Sequence, residues 1–268
     1  MLLTDEMKNA LFLPTMTTAG EMLNVLFRRA FGKLFLDAEV SHSVTPGDSE
    51  DAKYIQAYNE QLQRSKDSIP DERLCEPSLF IVGSALEASK YSYREPLIRD
   101  MFVNLITASM DKERTDLVHP FFIEAIKQLS ACDARNLSFF FIRRLSDDLG
   151  KCPVPHEISQ SVACAIAEYQ IKSGTDSIEI VQKNVFTADV MNSNISQQAT
   201  SIANLVRMGL LEIDYSHKCA ENEYLPMTHT KEYQEILVRC ERSGATPYVK
   251  KGTVYLTPLG VDFCSICL

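Results

Sequence analysis

Apolar positions follow a helical period through the first half of the chain. Between residues 20 and 37 they recur every three or four positions, which predicts an amphipathic helix. The same spacing returns from residue 51 to residue 149 with short polar connections, and it predicts an antiparallel stack of helices. Three helix starts have a capping residue or a proline in the first turn: Ser68-Ile-Pro-Asp71, Pro96 and Ser130-Ala-Cys-Asp133.

The helix predicted at residues 20–37 has two interpretations. Its apolar face would suit a membrane surface or a partner helix, because Arg28, Arg29 and Lys33 lie off that face. The same face would also pack against the body of a domain. We expect a docked helix, with peripheral membrane contact as the alternative. The residues of the face are Leu23, Leu26, Phe27, Ala30, Phe31 and Leu34.

The pattern changes after Gly150, Pro153 and Pro155, which are predicted to end the helical part. Apolar residues then alternate with small or polar residues between positions 162 and 186, on both sides of a turn sequence at 173–176. This alternation predicts a β-hairpin. A pair of short helices fits the same residues almost as well, because alanine is frequent here.

The C-terminal stretch has the most specific order of elements. A helix capped by Ser196 is predicted to end at Gly209, and a short alternating strand follows at residues 210–214. A second strand at residues 252–256 leads into Thr257-Pro258, which would cap and open a final helix. Helix, strand, strand and closing helix in this order are typical of a winged-helix module.

The insert between the two strands, residues 216–251, is predicted to contain a helix at residues 231–242. The predicted fold is therefore α+β and mainly α: an N-terminal helical bundle followed by a C-terminal winged-helix-like module with a long wing insert. The polar segment 41–50 is predicted to be a linker. The predicted divisions are an N-terminal amphipathic helical segment at 1–45, the helical bundle domain at 46–150, and the hairpin with the winged-helix-like domain at 151–268.

Charge and cysteine content limit the binding partners and the cellular compartment that the sequence favours. The chain has 27 basic and 36 acidic residues, and its net charge of −9 repels nucleic-acid phosphates unless the basic residues cluster. No stretch of about 18 apolar residues occurs, so no membrane span is predicted, and the N-terminus lacks a signal-peptide pattern. The eight cysteines fall mostly within apolar patterns and are interpreted as reduced thiols of a cytoplasmic protein.

The sequence has no recognisable catalytic motif. A nucleophile elbow, HExxH, Walker A and GxGxxG are all missing. His119 fits a helix start better than a catalytic base, and the acidic residues between 111 and 116 fit a solvated helix end. Cys264-x-x-Cys267 has the spacing of zinc ligands, but the nearby second pair it would need is offered only by His217-x-Cys219. We assign no catalytic, cofactor-binding or metal-binding residue and expect a protein that is not an enzyme.

The first helix and the wing of the C-terminal stretch supply the candidate contact residues. Glutamine and asparagine can read adenine, and lysine can hold phosphates. Residues 196–268, however, hold 7 basic and 8 acidic side chains, net −1, without the basic stripe of a DNA reader. The opposing interpretation is packing or protein contact. The candidates are Gln197, Gln198, Ser201, Asn204 and Arg207, taken as exposed on the helix, with Lys250 and Lys251 on the wing.

Four segments resemble, in order, the bacterial abortive infection alpha (Abi-alpha) family, long catalogued as a domain of unknown function. They are EPLIRDMFVNLITASMD, VHPFFIEAIKQLSACDARNL, IANLVRMGLLEI and KGTVYLTPLGVDFCSICL. The resemblance covers residues 70–268 and implies antiphage defence by an abortive or growth-arresting route. It carries over no catalytic residue. We expect a non-enzymatic antiphage defence protein that acts through a protein partner or as a homo-oligomer; the alternative is a winged-helix DNA-binding regulator.

Overall fold

The computed structural model describes residues 19–40, 50–145, 163–174, 177–187 and 194–268. Within them the chain is α+β and mainly helical, as predicted, with one four-stranded antiparallel sheet. These residues form two compact units: the first ends at Lys127 and also takes in Cys267, and the second runs from Gln128 to Ile266 and includes Leu268. In this part of the chain, every helix is too short or too polar to cross a membrane.

The first unit is built from helices whose apolar faces meet. In α2 the buried positions Ile55, Tyr58 and Leu62 fall on one helical face, which explains why this segment is a helix that packs on one side. A proline in the first turn opens the long apolar helix α4. The helices are α1 (Ala19–Val40), α2 (Glu50–Asp67), α3 (Leu79–Ser89), α4 (Pro96–Ala108) and α5 (Phe121–Gln128).

Helix α1 packs its apolar face against α2 and α3. Phe27 and Phe31 stack with ring centroids 4.6 Å apart, and each lies edge-on to Tyr58 at 5.6 Å. Arg28 and Arg29 point away and are exposed. The face that would have entered a membrane surface is therefore packed inside the unit; side chains beyond residue 32 of this helix lie outside the described part.

The helix predicted to start at Ser68 is wrong. A turn is found instead, in which the amides of Arg73 and Leu74 both donate to the carbonyl of Pro70 at 2.9 and 3.0 Å. Leu74 then forms a backbone bridge to Asp111, and Arg73 Nε donates to the Asp111 carboxylate at 3.1 Å. Asp111 is only 5% exposed, so its interpretation as part of a solvated helix end is also wrong.

The second unit contains the sheet, and its first two strands confirm the predicted β-hairpin. They pair antiparallel, and Gly174 supplies the positive φ of +67° that the turn between them requires. The elements are α6 (Ala131–Leu145), β1 (Cys164–Ser173), β2 (Ser177–Val185), α7 (Ile195–Arg207), β3 (Leu211–Asp214), α8 (Leu225–Thr228), α9 (Lys231–Ser243), β4 (Thr246–Leu256) and α10 (Pro258–Cys267).

The strand order of the sheet is β2-β1-β4-β3. Strand β3 pairs with the end of β4, from Leu211 opposite Leu256 to Asp214 opposite Thr253, which confirms the predicted pairing. Strand β4 is longer than predicted, because its residues also pair with β1 as far as Thr246. The second strand of the predicted winged-helix module therefore belongs to a central strand that joins the hairpin to the C-terminal elements.

Local capping signals set several element boundaries. Ser130 and Asp133 form the expected reciprocal box, with Ser130 N donating to Asp133 Oδ2 at 2.7 Å and Asp133 N donating to Ser130 Oγ at 3.2 Å. Thr257 Oγ1 accepts from Gly260 N at 2.9 Å and caps α10. Gly209 has a φ of +72° and reverses the chain between α7 and β3.

The insert packs one of its helices on the sheet and confirms the helix predicted at 231–242. Thr230 caps α9 by accepting from Tyr233 N at 3.2 Å. The buried hydroxyl of Tyr169 on β1 donates to Met227 O at 2.5 Å and bonds to Thr230 Oγ1 at 2.9 Å. These bonds anchor the insert to the central part of the sheet.

The expected boundary at residue 150 differs from the observed division, because α6 packs within the second unit. Phe140 of α6 stacks on Phe186 with ring centroids 5.1 Å apart, and α6 also lies against α7. The helical period of α6 does not reveal its partner, so the pattern grouped it with the preceding helices. Of the linker predicted at 41–50, residues 41–49 lie outside the described residues, and Glu50 already begins α2. The predicted helix breakers Gly150, Pro153 and Pro155 also lie outside the described residues.

Candidate functional site

The candidate contact residues of α7 lie on a helix that starts two residues earlier than expected. Asn194, rather than Ser196, is the cap, because Asn194 Oδ1 accepts from Gln197 N at 2.7 Å. The prediction of Ser196 as the cap is therefore wrong. The side chain of Gln197 is exposed, while Ile202 and Leu205 are fully buried on the opposite face.

Gln198 and Ser201 lie inside the interface between α6 and α7. Their exposures are 0% and 3%. Asn136 of α6, which is 1% exposed, donates from Nδ2 to Gln198 Oε1 at 2.8 Å and to Ser201 Oγ at 2.9 Å. Buried polar groups need such partners, and this polar seam fixes how the two helices meet. The expectation that both side chains are exposed is wrong, because α6 covers them.

Asn204 and Arg207 bond to the segment that leads into α6. Asn204 Nδ2 donates to Asp133 Oδ2 at 3.1 Å and to Gln128 O at 3.3 Å. Arg207 Nη2 donates to Gln128 Oε1 and to Asn204 Oδ1, both at 2.8 Å. Arg207 remains exposed and Asn204 is half-buried. These two side chains therefore hold the end of α7 in place, and their contact with DNA or a partner stays a prediction.

Lys250 and Lys251 are adjacent on β4, so their side chains leave opposite faces of the sheet. Lys250 Nζ lies 4.4 Å from the ring centroid of Tyr215. Lys251 forms an ion pair with Glu221, and its hydrogen bond and charge lower the pKa of that carboxyl below its ordinary value. The two lysines therefore belong to separate local contacts and do not make one basic patch.

The cysteine pair of α10 is buried. Cys264 and Cys267 are both 0% exposed, and burial raises the pKa of Cys264 to about 12. That thiol stays protonated at neutral pH, whereas a zinc ligand is a thiolate. Across the described ranges, no group of three or more His, Cys, Asp or Glu side chains is arranged to hold a metal ion.

Two histidines that could have served as bases contact local turns. His119 Nδ1 accepts from Phe121 N at 3.1 Å at the start of α5, the role predicted for it. His217 Nδ1 lies 2.5 Å from Asp214 Oδ2, and Ser216 Oγ donates to Asp214 Oδ1 at 2.5 Å. These hydrogen bonds lower the pKa of Asp214 to about 2, and the bond from Ser216 contributes most. Sequence reasoning missed this cluster, although three polar residues within four positions could have drawn attention to it.

The geometry of this cluster does not match a nucleophilic triad. In a triad the serine hydroxyl bonds to one histidine nitrogen and the carboxylate to the other. Here Ser216 donates to the carboxylate itself and lies 3.3 Å from the same Nδ1 that faces Asp214. Ser216 N also donates to Asp214 Oδ1 at 2.7 Å. The arrangement is an Asx turn that ends β3.

The first unit has a shallow groove of about 450 Å³ between α3 and α5. Tyr91 at its rim is 93% exposed. Two acidic residues of the rim are each paired with a lysine three positions on, Glu87 with Lys90 at 2.6 Å and Glu124 with Lys127 at 2.9 Å. Both acidic side chains that line the groove therefore already have a basic partner. Its lining residues are Gly83, Ser84, Glu87, Ala88, Tyr91, Ile123, Glu124 and Lys127.

Strand β2 forms an edge of the sheet and presents apolar side chains to solvent. Ile178 is 58% exposed, Ile180 46% and Val181 38%. Between the two isoleucines, Glu179 accepts two hydrogen bonds from Arg239 of α9 at 2.9 and 2.7 Å. The sequence signal for this surface is the alternation that predicted the strand, but only the strand order shows that it lies at an edge.

Comparison with known proteins supports the resemblance seen in the sequence. The family model described as abortive infection alpha matches residues 50–267. This range includes every described helix and strand except α1. No curated protein matched, and no solved structure matched. Because the matched residues make up most of the 268-residue chain, this chain belongs to the abortive infection alpha family.

Proposed function

We propose that this protein is a non-enzymatic antiphage defence protein of the abortive infection type that acts through protein contacts. The observation that carries the proposal is the packing of α7, in which Gln198 and Ser201 are buried against Asn136. A helix reads base edges with exposed polar side chains, and these two are used inside the chain. Membership in the abortive infection alpha family supports the defence role.

We also infer that α7, β3, β4 and α10 make a winged-helix-like module that serves packing and protein contact, with α8 and α9 inside the wing insert. The pairing of β3 with β4 and the Thr257 cap of α10 support this inference. The module departs from a simple wing because β4 continues past β3 and pairs with β1. That extension ties the module to the hairpin and removes the free wing tip that would lie along DNA.

Charge supports contact with protein over contact with nucleic acid. The chain has a net charge of −9, and its two candidate wing lysines leave opposite faces of β4. DNA binding draws its affinity from clustered cations that neutralise phosphates.

The seven described cysteines are all free thiols, which suits action in the reducing cytoplasm.

Phage challenge tests the defence role. Bacteria that express the protein should yield fewer plaques than bacteria with an empty vector, and Gly32→Ala should protect equally, since a Cβ there meets nothing within 4 Å. Gly260→Ala should abolish protection, because its Cβ would lie 2.0 Å from Leu210 O and the fold cannot accommodate it. Equal plaquing with the intact gene and with the empty vector would contradict the proposal.

A second variant tests the non-enzymatic part. The double change Ser216→Ala and His217→Ala removes the hydroxyl and imidazole of the only described Ser–His–Asp cluster. We expect protection to be unchanged, because the cluster closes a turn. Loss of protection, with a circular dichroism melt equal to that of the unaltered protein, would show that these groups do more than close a turn and would contradict this part of the proposal.

A further inference from the structure

The exposed edge of β2 has an unusual composition for a strand that faces water. Among the described residues, β1 is the one strand that pairs with it. Its residues Ile178, Ile180 and Val181 are 58%, 46% and 38% exposed. Edge strands of monomeric proteins usually carry charge or proline, because an apolar β-branched edge is a template for another strand.

The charges of β2 are self-complementary about Val181. Glu179 precedes this residue by two positions and Lys183 follows it by two. In an antiparallel pair with a twofold axis at Val181, Glu179 of each copy faces Lys183 of the other. A twofold axis at Glu179 would instead place two glutamates opposite each other, which is destabilising. Of these two registers, charge favours the one centred on Val181 for pairing with a second copy.

The side chains of these two residues are arranged to meet a partner. Arg239 holds the Glu179 carboxylate through two hydrogen bonds at 2.9 and 2.7 Å, and the Glu179 side chain is still 51% exposed. Lys183 is exposed and forms no ion pair with any acidic residue in the described ranges. Glu179, which is held by Arg239, and Lys183, which has no acidic partner among the described residues, therefore fit the two halves of a symmetric contact.

We propose that two copies of this chain associate through β2, antiparallel and centred on Val181, with Glu179 of each copy opposite Lys183 of the other. The contact is isologous, as expected for a closed dimer. It would bring the exposed Ile180 and Val181 of both copies together. The proposal does not rest on the defence role, and it is tested on the purified protein alone.

The bulges of β2 limit the strength of this contact. The register with β1 shifts twice, on either side of the Tyr169–Gln182 pair, and Asn184 has a φ of 54°. Bulges twist an edge and shorten the ladder that a second strand can form. The net charge of −9 on each copy also opposes association at low salt. The dimer should therefore be weak, with a dissociation constant on the order of 10 µM at physiological salt.

A charge exchange tests the register. Sedimentation velocity from about 1 to about 100 µM protein, which spans that constant, should show a monomer–dimer equilibrium. Lys183→Glu and Glu179→Lys each place like charges opposite, and each alone should weaken dimerisation at least about tenfold. An equimolar mixture of the two variants restores both Glu–Lys pairs between unlike chains and should recover dimerisation to within about threefold of the unaltered protein.

Arg239→Ala is the matched control, because it removes the intrachain ion pair of Glu179 and leaves both edge charges in place. It should dimerise within about threefold of the unaltered protein. Recovery in the mixture also shows that both single variants fold. A monomer at every concentration, dimers of the single variants as strong as the original, or a mixture that stays monomeric would each overturn the proposal.

Discussion

Replacing Asn136 by leucine should destabilise the second unit by about 2 kcal/mol. The amide is 1% exposed and gives two hydrogen bonds across the α6–α7 interface, at 2.8 Å to Gln198 and 2.9 Å to Ser201. Each buried hydrogen bond contributes about 1 kcal/mol net, and leucine of similar size fills the space without replacing either bond. The substitution also removes Asn136 Oδ1, which has no partner among the described residues, and this limits the loss.

The assay is thermal unfolding followed by circular dichroism, where about 2 kcal/mol corresponds to a fall of about 4–8 °C in Tm for a unit of this size. Gln197→Leu is the matched control on the exposed side of α7 and should change stability by less than about 0.5 kcal/mol. Adding Ser201→Ala to Asn136→Leu should cost less than the sum of the single changes. An unchanged Tm for Asn136→Leu, or an equal fall for Gln197→Leu, would refute the claim that the hydrogen bonds of Asn136 stabilise the contact between α6 and α7.

The remaining predictions concern pH and two glycines. The folded pKa of Asp214, about 2, is lower than its ordinary value of 3.8, so the contribution of this carboxylate to stability is full above about pH 5 and is lost as pH falls toward 2. In Asp214→Asn, the free energy of unfolding measured with urea should therefore depend less on pH across that range than in the unaltered protein. Gly260→Ala should cost more than about 3 kcal/mol, because Leu210 O would lie 2.0 Å from the new Cβ. Gly83→Ala, which meets no atom within 4 Å inside α3, should raise stability by about 0.5–1 kcal/mol in the same urea titrations.

Several local signals predicted the ends of elements correctly, because their physics is contained in a few neighbouring residues. The Ser130–Asp133 box and Thr257 satisfy amides within three positions, and Gly209 adopts the positive φ that its type allows. The hairpin followed from alternation around Gly174. None of these predictions required knowledge of a distant part of the chain.

Predictions failed where a distant partner decides the structure. The first half of β4 contains Pro247 and two lysines, which do not favour a strand, and it is ordered by pairing with β1. Ser68 and the following residues have the composition of a helix start, but the ion pair of Arg73 with Asp111 and a backbone bridge at Leu74 hold them in a turn.

The same reason explains the error at the candidate site. Gln198 and Ser201 are polar residues on an amphipathic helix, and composition alone places such side chains in solvent. Their burial depends on Asn136, which lies 62 positions from Gln198 and 65 positions from Ser201 in the sequence. A polar residue buried opposite another polar residue has the same helical pattern as an exposed pair, so only the packing of α6 on α7 separates the two cases.

Titration of labelled duplex DNA with the purified chain, followed by fluorescence anisotropy over a series of salt concentrations, tests most directly whether α7 is a packing helix. We expect no saturable binding at physiological salt and no change on Lys250→Ala with Lys251→Ala, since these lysines contact Tyr215 and Glu221. Tight binding that weakens steeply with salt and is lost in the double variant would contradict this expectation and would identify a DNA-binding protein.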